Sequence, residues 1–510
     1  MAAMTAIPAP DPARLKRARR IGRALTRSLC LRLGMVLLLC AMGAPAGAAD
    51  DPPGRVGRLS LVSGDVEAIV TAGADWEAAT LNTPVSVATV LRTAMQSRAE
   101  VRVGSAGLQL NANTQLRTLA LDDEAWVLVL ERGNIALSLR TLAAGERVEV
   151  QAGGATFRIT AAGSYHFGHA VGASRFEVRV FAGAGQWLDG SPALALSAGQ
   201  QAQIDTRSLA VLVQGEAVPT RFDEWAAQRA RRAERPATER YLSAEMTGGE
   251  DLDGHGRWRL DPRIGAIWYP NAVDADWAPY RTGRWLWVAP WGWSWVDQAP
   301  WGFAPFHYGR WLFLGGRWGW VPGSYTARPV YAPALVGFYG GAAVGAAPWV
   351  GWFPLAPGEP YRPGFAASGR YVLAINAALP GAPTTAPTSY RYAQTSFAAT
   401  AVARDAFGNS RATADARVPL SPAALSMAGG LTLPGAPAAI APAGKALPAV
   451  AAPDTKAGTE TKPGNRRIDA AHLERPSPRQ LPEQGAAAAN PRPHAQRHKP
   501  QPAHGAGHPR

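Results

Sequence analysis

The sequence predicts an all-β chain: an N-terminal β-sandwich or short β-solenoid, a second module of about three aromatic β-hairpins, one connecting helix, and a disordered Pro/Ala-rich C-terminal tail. Three observations predict it. Runs such as Arg147-Val148-Glu149-Val150 and Arg175-Phe176-Glu177-Val178-Arg179-Val180-Phe181 alternate polar and apolar residues with the period of half-buried strands. Turn formers are abundant, with 54 Gly and 43 Pro in 510 residues. Fourteen of the 18 Trp fall within residues 251–352, where they repeat.

Residues 1–48 read as a secretory signal. Eight basic residues against Asp11 precede the apolar run Leu33–Met42, and Ala46-Gly47-Ala48 follows as a small-x-small site, so cleavage is expected near Ala48. The apolar run is much shorter than the ~20 residues that span a bilayer. No later run is long enough, so the mature chain is expected to carry no transmembrane span and to reside in the periplasm or be secreted. Both cysteines, Cys30 and Cys40, lie inside this segment, which leaves the mature chain without disulfides or thiolate chemistry. The formal charge of +14 gathers at the two ends. Residues 461–510 carry nine Lys/Arg against Asp469, Glu474 and Glu483, and the body from 49 to 460 is left at +1. A nucleic-acid footprint would cover a folded face, so no nucleic-acid partner is expected.

Residues 56–205 form the first β domain. Arg58-Leu59-Ser60-Leu61-Val62 runs into Ser63-Gly64-Asp65, and Glu100-Val101-Arg102-Val103 into Gly104. With one face of each strand buried, a charge at Val178 or Val180 should cost far more than one at Glu177. Leu61–Val66, Leu91-Arg92-Thr93, Ala99–Val103, Leu130–Ile135, Val180–Gly183 and Leu196–Gln200 follow one another in an order that resembles the periplasmic FecR-type domain. That resemblance implies an envelope setting in which members sense transport and signal to a sigma factor. No spanning helix or cytoplasmic regulatory domain precedes the β domain here, so direct sigma-factor control is not expected.

Residues 221–235 read as a helix, with Phe222, Trp225 and Ala226 on one edge and Pro236 as a stop. It is expected to connect the modules and dock through Trp225.

The hairpin domain is placed at residues 241–376. Gly256-Arg257-Trp258, Gly283-Arg284-Trp285 and Gly309-Arg310-Trp311 recur at 27 and 26 residues, each followed by a second aromatic pair: Trp268-Tyr269, Trp295-Val296 and Trp320-Val321. Asp261–Gly265, Ala289–Gly292 and Leu314-Gly315-Gly316 supply the turns. A unit this short cannot bury its aromatic face alone, so the three hairpins are expected to pack into one small sheet or barrel. The Gly-Arg-Trp set, Trp277–Tyr280, Trp301–Tyr308 and Trp352–Tyr361 resemble a family of uncharacterised secreted domains, often found behind FecR-type domains. That resemblance implies a grouping and a setting, with no activity.

Core packing is the commoner duty of such aromatics. The functional alternative is stacking on sugar rings by Trp285, Trp287, Trp293, Trp295 and Trp311, with Arg284 and Arg310 as cation–π partners or hairpin caps. Asp251-Leu252-Asp253-Gly254-His255-Gly256 begins like a calcium loop but lacks the distal Glu, and a turn explains it equally well. His166 and His169, three apart in a strand, fall on opposite faces and make no chelate. Asp274 and Asp276 find no second partner for acid–base work. No metal, cofactor or catalytic set is expected. Residues 380–510 are low-complexity and expected to be mostly disordered. The functional expectation is a non-enzymatic envelope interaction or scaffold protein, meeting envelope proteins or cell-wall glycan. The alternatives are glycan or peptidoglycan binding through the Trp hairpins, and a periplasmic sensor acting through a separate membrane partner.

Overall fold

The computed structural model describes residues 51–189, 194–232, 237–339, 349–377, 389–428 and 432–433. The expected signal segment and everything beyond residue 433 lie outside the described residues.

The first module consists of β1 (Gly57–Ser63), β2 (Val66–Ile69), β3 (Glu77–Ala78), β4 (Pro84–Val85), β5 (Val90–Thr93), β6 (Arg98–Val103), β7 (Ala106–Leu110), β8 (Gln115–Leu121) and β9 (Ala125–Leu139). It continues through β10 (Arg147–Ala152), β11 (Ala155–Ile159), β12 (Gly163–Ala170), β13 (Arg175–Ala182), β14 (Ala184–Trp187), β15 (Ala195–Ser197), β16 (Gln200–Asp205) and β17 (Val211–Glu216). Pairing resolves these strands into two ladders. Ladder A runs β4–β1–β6–β7–β9–β12–β13–β16–β17. Ladder B runs β3–β2–β5–β8–β9–β10–β11–β14–β15.

The long strand β9 belongs to both. Its first half pairs with β8 and β10, and from Gly133 onward it pairs with β7 and β12. Gly133 makes the transfer at φ +92°, and a Cβ there would meet Thr114 Oγ1 at 2.5 Å, so glycine is required. The ladders face each other across a core of buried hydrophobic side chains. Phe157 of β11 meets Phe167 of β12 at 5.8 Å, and Phe176 of β13 meets Trp187 of β14 at 4.8 Å. Along β13 the burial alternates as the sequence predicts: Phe176, Val178 and Val180 are buried, while Glu177 and Arg179 are only partly covered.

The helix α1 (Arg221–Arg232) lies on the outer face of ladder A, with Phe222, Ala226 and Trp225 packed on Ala136. Three hairpins then follow at the expected positions: β18 (Gly256–Asp261) with β19 (Gly265–Pro270), β20 (Gly283–Val288) with β21 (Gly292–Asp297), and β22 (Arg310–Leu314) with β23 (Arg317–Val321). The short helix α2 (Ala304–His307) precedes the third. Trp faces Trp in the ladders: Trp258 opposite Trp268, Trp285 opposite Trp295, Trp287 opposite Trp293, and Trp311 opposite Trp320.

The one small sheet or barrel expected of the three hairpins is not what forms among the described residues. The first and third share a four-stranded sheet through Trp268 and Trp320, while the second stands as a two-stranded sheet of its own. The second is held elsewhere: its edges bond to loops, with Trp295 N donating to Pro333 O and Asn82 Nδ2 donating to Asp297 O.

A further sheet, unforeseen, is made by β24 (Val336–Tyr339), β25 (Trp349–Pro354), β26 (Thr400–Ala403) and β27 (Thr432–Leu433) in the order β26–β25–β24–β27. The helix α3 (Gly369–Asn376) follows β25, and α4 (Arg404–Gly408) follows β26. Part of the segment expected to be disordered is therefore folded. Phe407 of α4 is buried against Trp293 at 4.8 Å and Trp285 at 5.5 Å, and Tyr392 against Trp318 at 4.9 Å. A few aromatics in an Ala-rich stretch suffice to dock it, because one buried ring brings a large apolar area.

Candidate functional site

The seven residues singled out for ligand binding are placed mostly in the interior. Trp295, Trp311 and Trp285 are at most 2% exposed, Trp293 4% and Trp287 9%. Sugar stacking needs an open ring face, and here the faces are covered by other rings: Trp287 and Trp293 meet edge-to-face at 5.5 Å, and Trp285 packs on Trp295, Phe338 and Trp352. These five serve the core, which corrects the stacking expectation. Arg310 is also buried. It donates to Glu359 O, Gly309 O and Asn376 Oδ1 at 2.8–2.9 Å, and burial pushes its pKa down to about 10. Arg284 reaches Thr80 Oγ1 at 3.4 Å across the module boundary. Neither guanidinium lies over a ring among the described residues.

The aromatic module is joined to the sandwich by a buried polar seam. Arg58 on β1 donates to Asn82 Oδ1 at 2.8 Å and pairs with Asp251. Asn82 Nδ2 donates to the carbonyls of Asp297 and Ala299. Thr71 and Ser86 hydroxyls donate to Trp287 O and Ala289 O, and Thr247 Oγ1 accepts from Gly104 N and donates to Val56 O. Asp251 and Asp253, which begin the calcium-like motif, are thus engaged by protein: Asp253 takes Thr238 N and Oγ1, and Asp251 takes Arg58. Beside the seam, Asp297 is fully buried, accepts from Trp295 Nε1 at 3.0 Å and Ala299 N at 2.9 Å, and is pushed up to about 7 by desolvation.

An outward feature of the described residues is the face carrying α1. Thr220 and Asp223 form a reciprocal N-terminal box: Thr220 N donates to Asp223 Oδ2 at 2.7 Å, and Asp223 N to Thr220 Oγ1 at 3.4 Å. The same carboxylate takes His166 Nδ1 at 2.5 Å, so a strand histidine anchors the helix. At the other end, Arg229 Nε donates to Glu100 Oε2 at 2.6 Å, and Arg102 to Glu100 Oε1 at 2.7 Å. Glu100 is held below the usual carboxylate range by these two arginines, against the raising effect of its burial.

Between α1 and ladder A opens a groove of about 450 Å³, floored by Leu137, Ser164, Tyr165 and Phe181 and walled by Ala227, Gln228 and Ala230. A second recess of about 310 Å³ lies at the first turn of α1, where Arg98, Arg179, Arg221, His166, Asn111 and Asn134 meet. Neither grouping stands out in the sequence as a site. Their residues come from separate stretches of chain, and the one local signal is the Thr220-x-x-Asp223 box. The two histidines do fall on opposite faces: His169 Nδ1 faces Leu130 O at 2.8 Å. Asp274 and Asp276 are exposed.

Residues 249–359 match a family of unknown function, DUF6600. That span runs from the seam through all three hairpins to Glu359. No curated protein matches the sequence. Two crystal structures of a candidate anti-sigma factor from Parabacteroides distasonis ATCC 8503 are similar to parts of the chain, each at 13% identity and a TM-score of 0.24. One match covers 27% of this chain and 63% of that one, so the chain spans less than two thirds of its length; the other covers 36% and 99%. Likeness at that score carries nothing about function. No helix of the described residues is long and apolar enough to cross a membrane.

Proposed function

We propose that this protein is a non-enzymatic interaction or scaffold protein of the bacterial cell envelope, built on a FecR-like sandwich and exported after cleavage near Ala48. Its partner is a segment of another envelope protein, taken up on the α1 face of ladder A. What supports this most is the groove beside α1, an apolar-floored opening of about 450 Å³ on a rigid strand-and-helix frame. The aromatic hairpins are then the brace of that frame rather than its recognition surface, because their rings are interior.

The test is site-specific photo-crosslinking in cells, with the probe at Gln228 in the groove wall or at Leu260, which is 72% exposed on β18. A defined adduct from Gln228, lost in Ala227→Arg and absent from Leu260, is expected. Adducts equal at both positions, or none at Gln228, would remove the proposal. Fractionation checks export: the expected mature chain starts at Ala49 and is periplasmic or secreted, and an uncleaved cytoplasmic chain would refute that part.

A further inference from the structure

The recess at the first turn of α1 holds more positive charge than its own carboxylates neutralise. Asp223 is fully engaged, by His166 at 2.5 Å, by Thr220 N and Oγ1 at 2.7 Å each, and by Arg179 at 3.4 Å. Arg179 is also held by Glu177 and donates to Gln201 Oε1 at 3.2 Å. That leaves Arg98 and Arg221. Neither has a carboxylate partner among the described residues. The Arg98 guanidinium lies 4.5 Å over the Trp225 ring and 5.9 Å from Phe222, which fixes its plane without neutralising it. Arg221 is the first residue of α1, where the positive end of the helix dipole works against a cation.

His166 lines the recess as well, its ring nitrogens facing Asp223 Oδ1 and Asn134 Oδ1, the latter at 3.2 Å. Asn134 thereby keeps its Nδ2 donors uncommitted, and Asn111 lines the same recess. Donors thus converge from β6, from the Asn111 loop, from β9 and from α1. A carboxylate offers two oxygens to such a set, and a phosphate group offers three or four.

We propose that this recess binds a phosphate group, with Arg98 and Arg221 as its charged ligands and Asn111 and Asn134 as neutral donors. This rests on the α1 face being the recognition surface and names the chemistry it reads. The phosphate is either the free ion or a phosphate ester carried by a larger envelope molecule.

The experiment is calorimetric titration of the mature chain, in phosphate-free low-salt buffer, with inorganic phosphate, glycerol phosphate or acetate. Saturable phosphate binding is expected, weakened by about tenfold or more in Arg221→Gln and in Arg98→Gln, with Arg263→Gln on an exposed turn unchanged. Acetate should bind more weakly than phosphate. Tighter binding of glycerol phosphate would identify the ester as the source, and equal binding the free ion. Arg98→Gln also loosens the contact with Trp225, so the exposed Arg221→Gln variant decides. No phosphate heat from the unaltered chain, or binding unchanged in Arg221→Gln, overturns the inference. Crosslinking at Gln228 that persists without phosphate binding would leave the proposed function standing while this inference falls.

Discussion

The sandwich and the hairpin module bury comparable strands by different means. In the sandwich the inward positions are mainly Val, Leu, Ile and Ala, as along β6, β7 and β10, with the aromatic group of Phe157, Phe167, Phe176 and Trp187 in one region. In the hairpins the inward positions are indoles facing indoles. An aliphatic core has no polar atom to satisfy, whereas each buried indole brings an N–H that must find an acceptor or go without. Here the N–H groups of Trp268, Trp320 and Trp352 reach the carbonyls of Leu252, Tyr308 and Tyr280, and Trp295 reaches Asp297. The tryptophans therefore fasten loops as well as fill space. Yet the buried side chains of both form one continuous cluster, so damage in one should be felt in the other.

The sharpest way to break the comparison is Trp295→Ala. It removes a fully buried indole packed on Trp285, Trp352 and Tyr280 and takes a hydrogen bond from Asp297, so a loss of about 3–5 kcal/mol is expected in denaturant unfolding. Arg58→Met at the seam should cost about 2–4 kcal/mol, less than a fully enclosed pair because Asp251 keeps some water contact. Val178→Ala, in the aliphatic core, should cost about 1–3 kcal/mol by lost burial. Glu177→Ala, its neighbour on the outer side, should stay within about 1 kcal/mol.

Asp297→Asn sharpens the contrast through pH. With its folded pKa raised to about 7, Asp297 binds its proton more tightly folded than unfolded. Its contribution is complete below the unfolded value of about 4 and is lost as pH rises through about 7. The unaltered chain should thus lose stability relative to Asp297→Asn between pH 5 and pH 8, read as the difference in denaturation midpoints. Comparing the two chains at each pH cancels the buried His307, whose pKa is lowered by burial to about 3 and which acts on the acid side. A constant difference would mean that the carboxyl is hydrated.

Local pattern made much of this architecture legible. The Gly-Arg-Trp spacing located all three hairpins, because aromatic strand and turn residues act within a few residues of each other. The helix over 221–232 was legible for the same reason, and so was the alternation along β13. Long-range pairing was not. Nothing in the repeats distinguishes the second hairpin, which joins no other sheet among the described residues, from the first and third, which share one. The side of each indole that meets solvent depends on what covers it, and part of that cover is Phe407, more than a hundred residues downstream of Trp285. The recess was hidden more completely, since Arg98, Asn134, His166 and Arg221 are gathered by pairing across ladder A.

The central claim is that sandwich and hairpin module share one core and unfold as one body. Urea unfolding of the mature chain tests it directly, followed by tryptophan fluorescence, which reports chiefly on the hairpins, and by far-ultraviolet circular dichroism, which reports on all strands. The two curves should coincide, and Arg58→Met should move both midpoints together. Two separated transitions, with the fluorescence change complete while strand signal persists, would contradict the shared core.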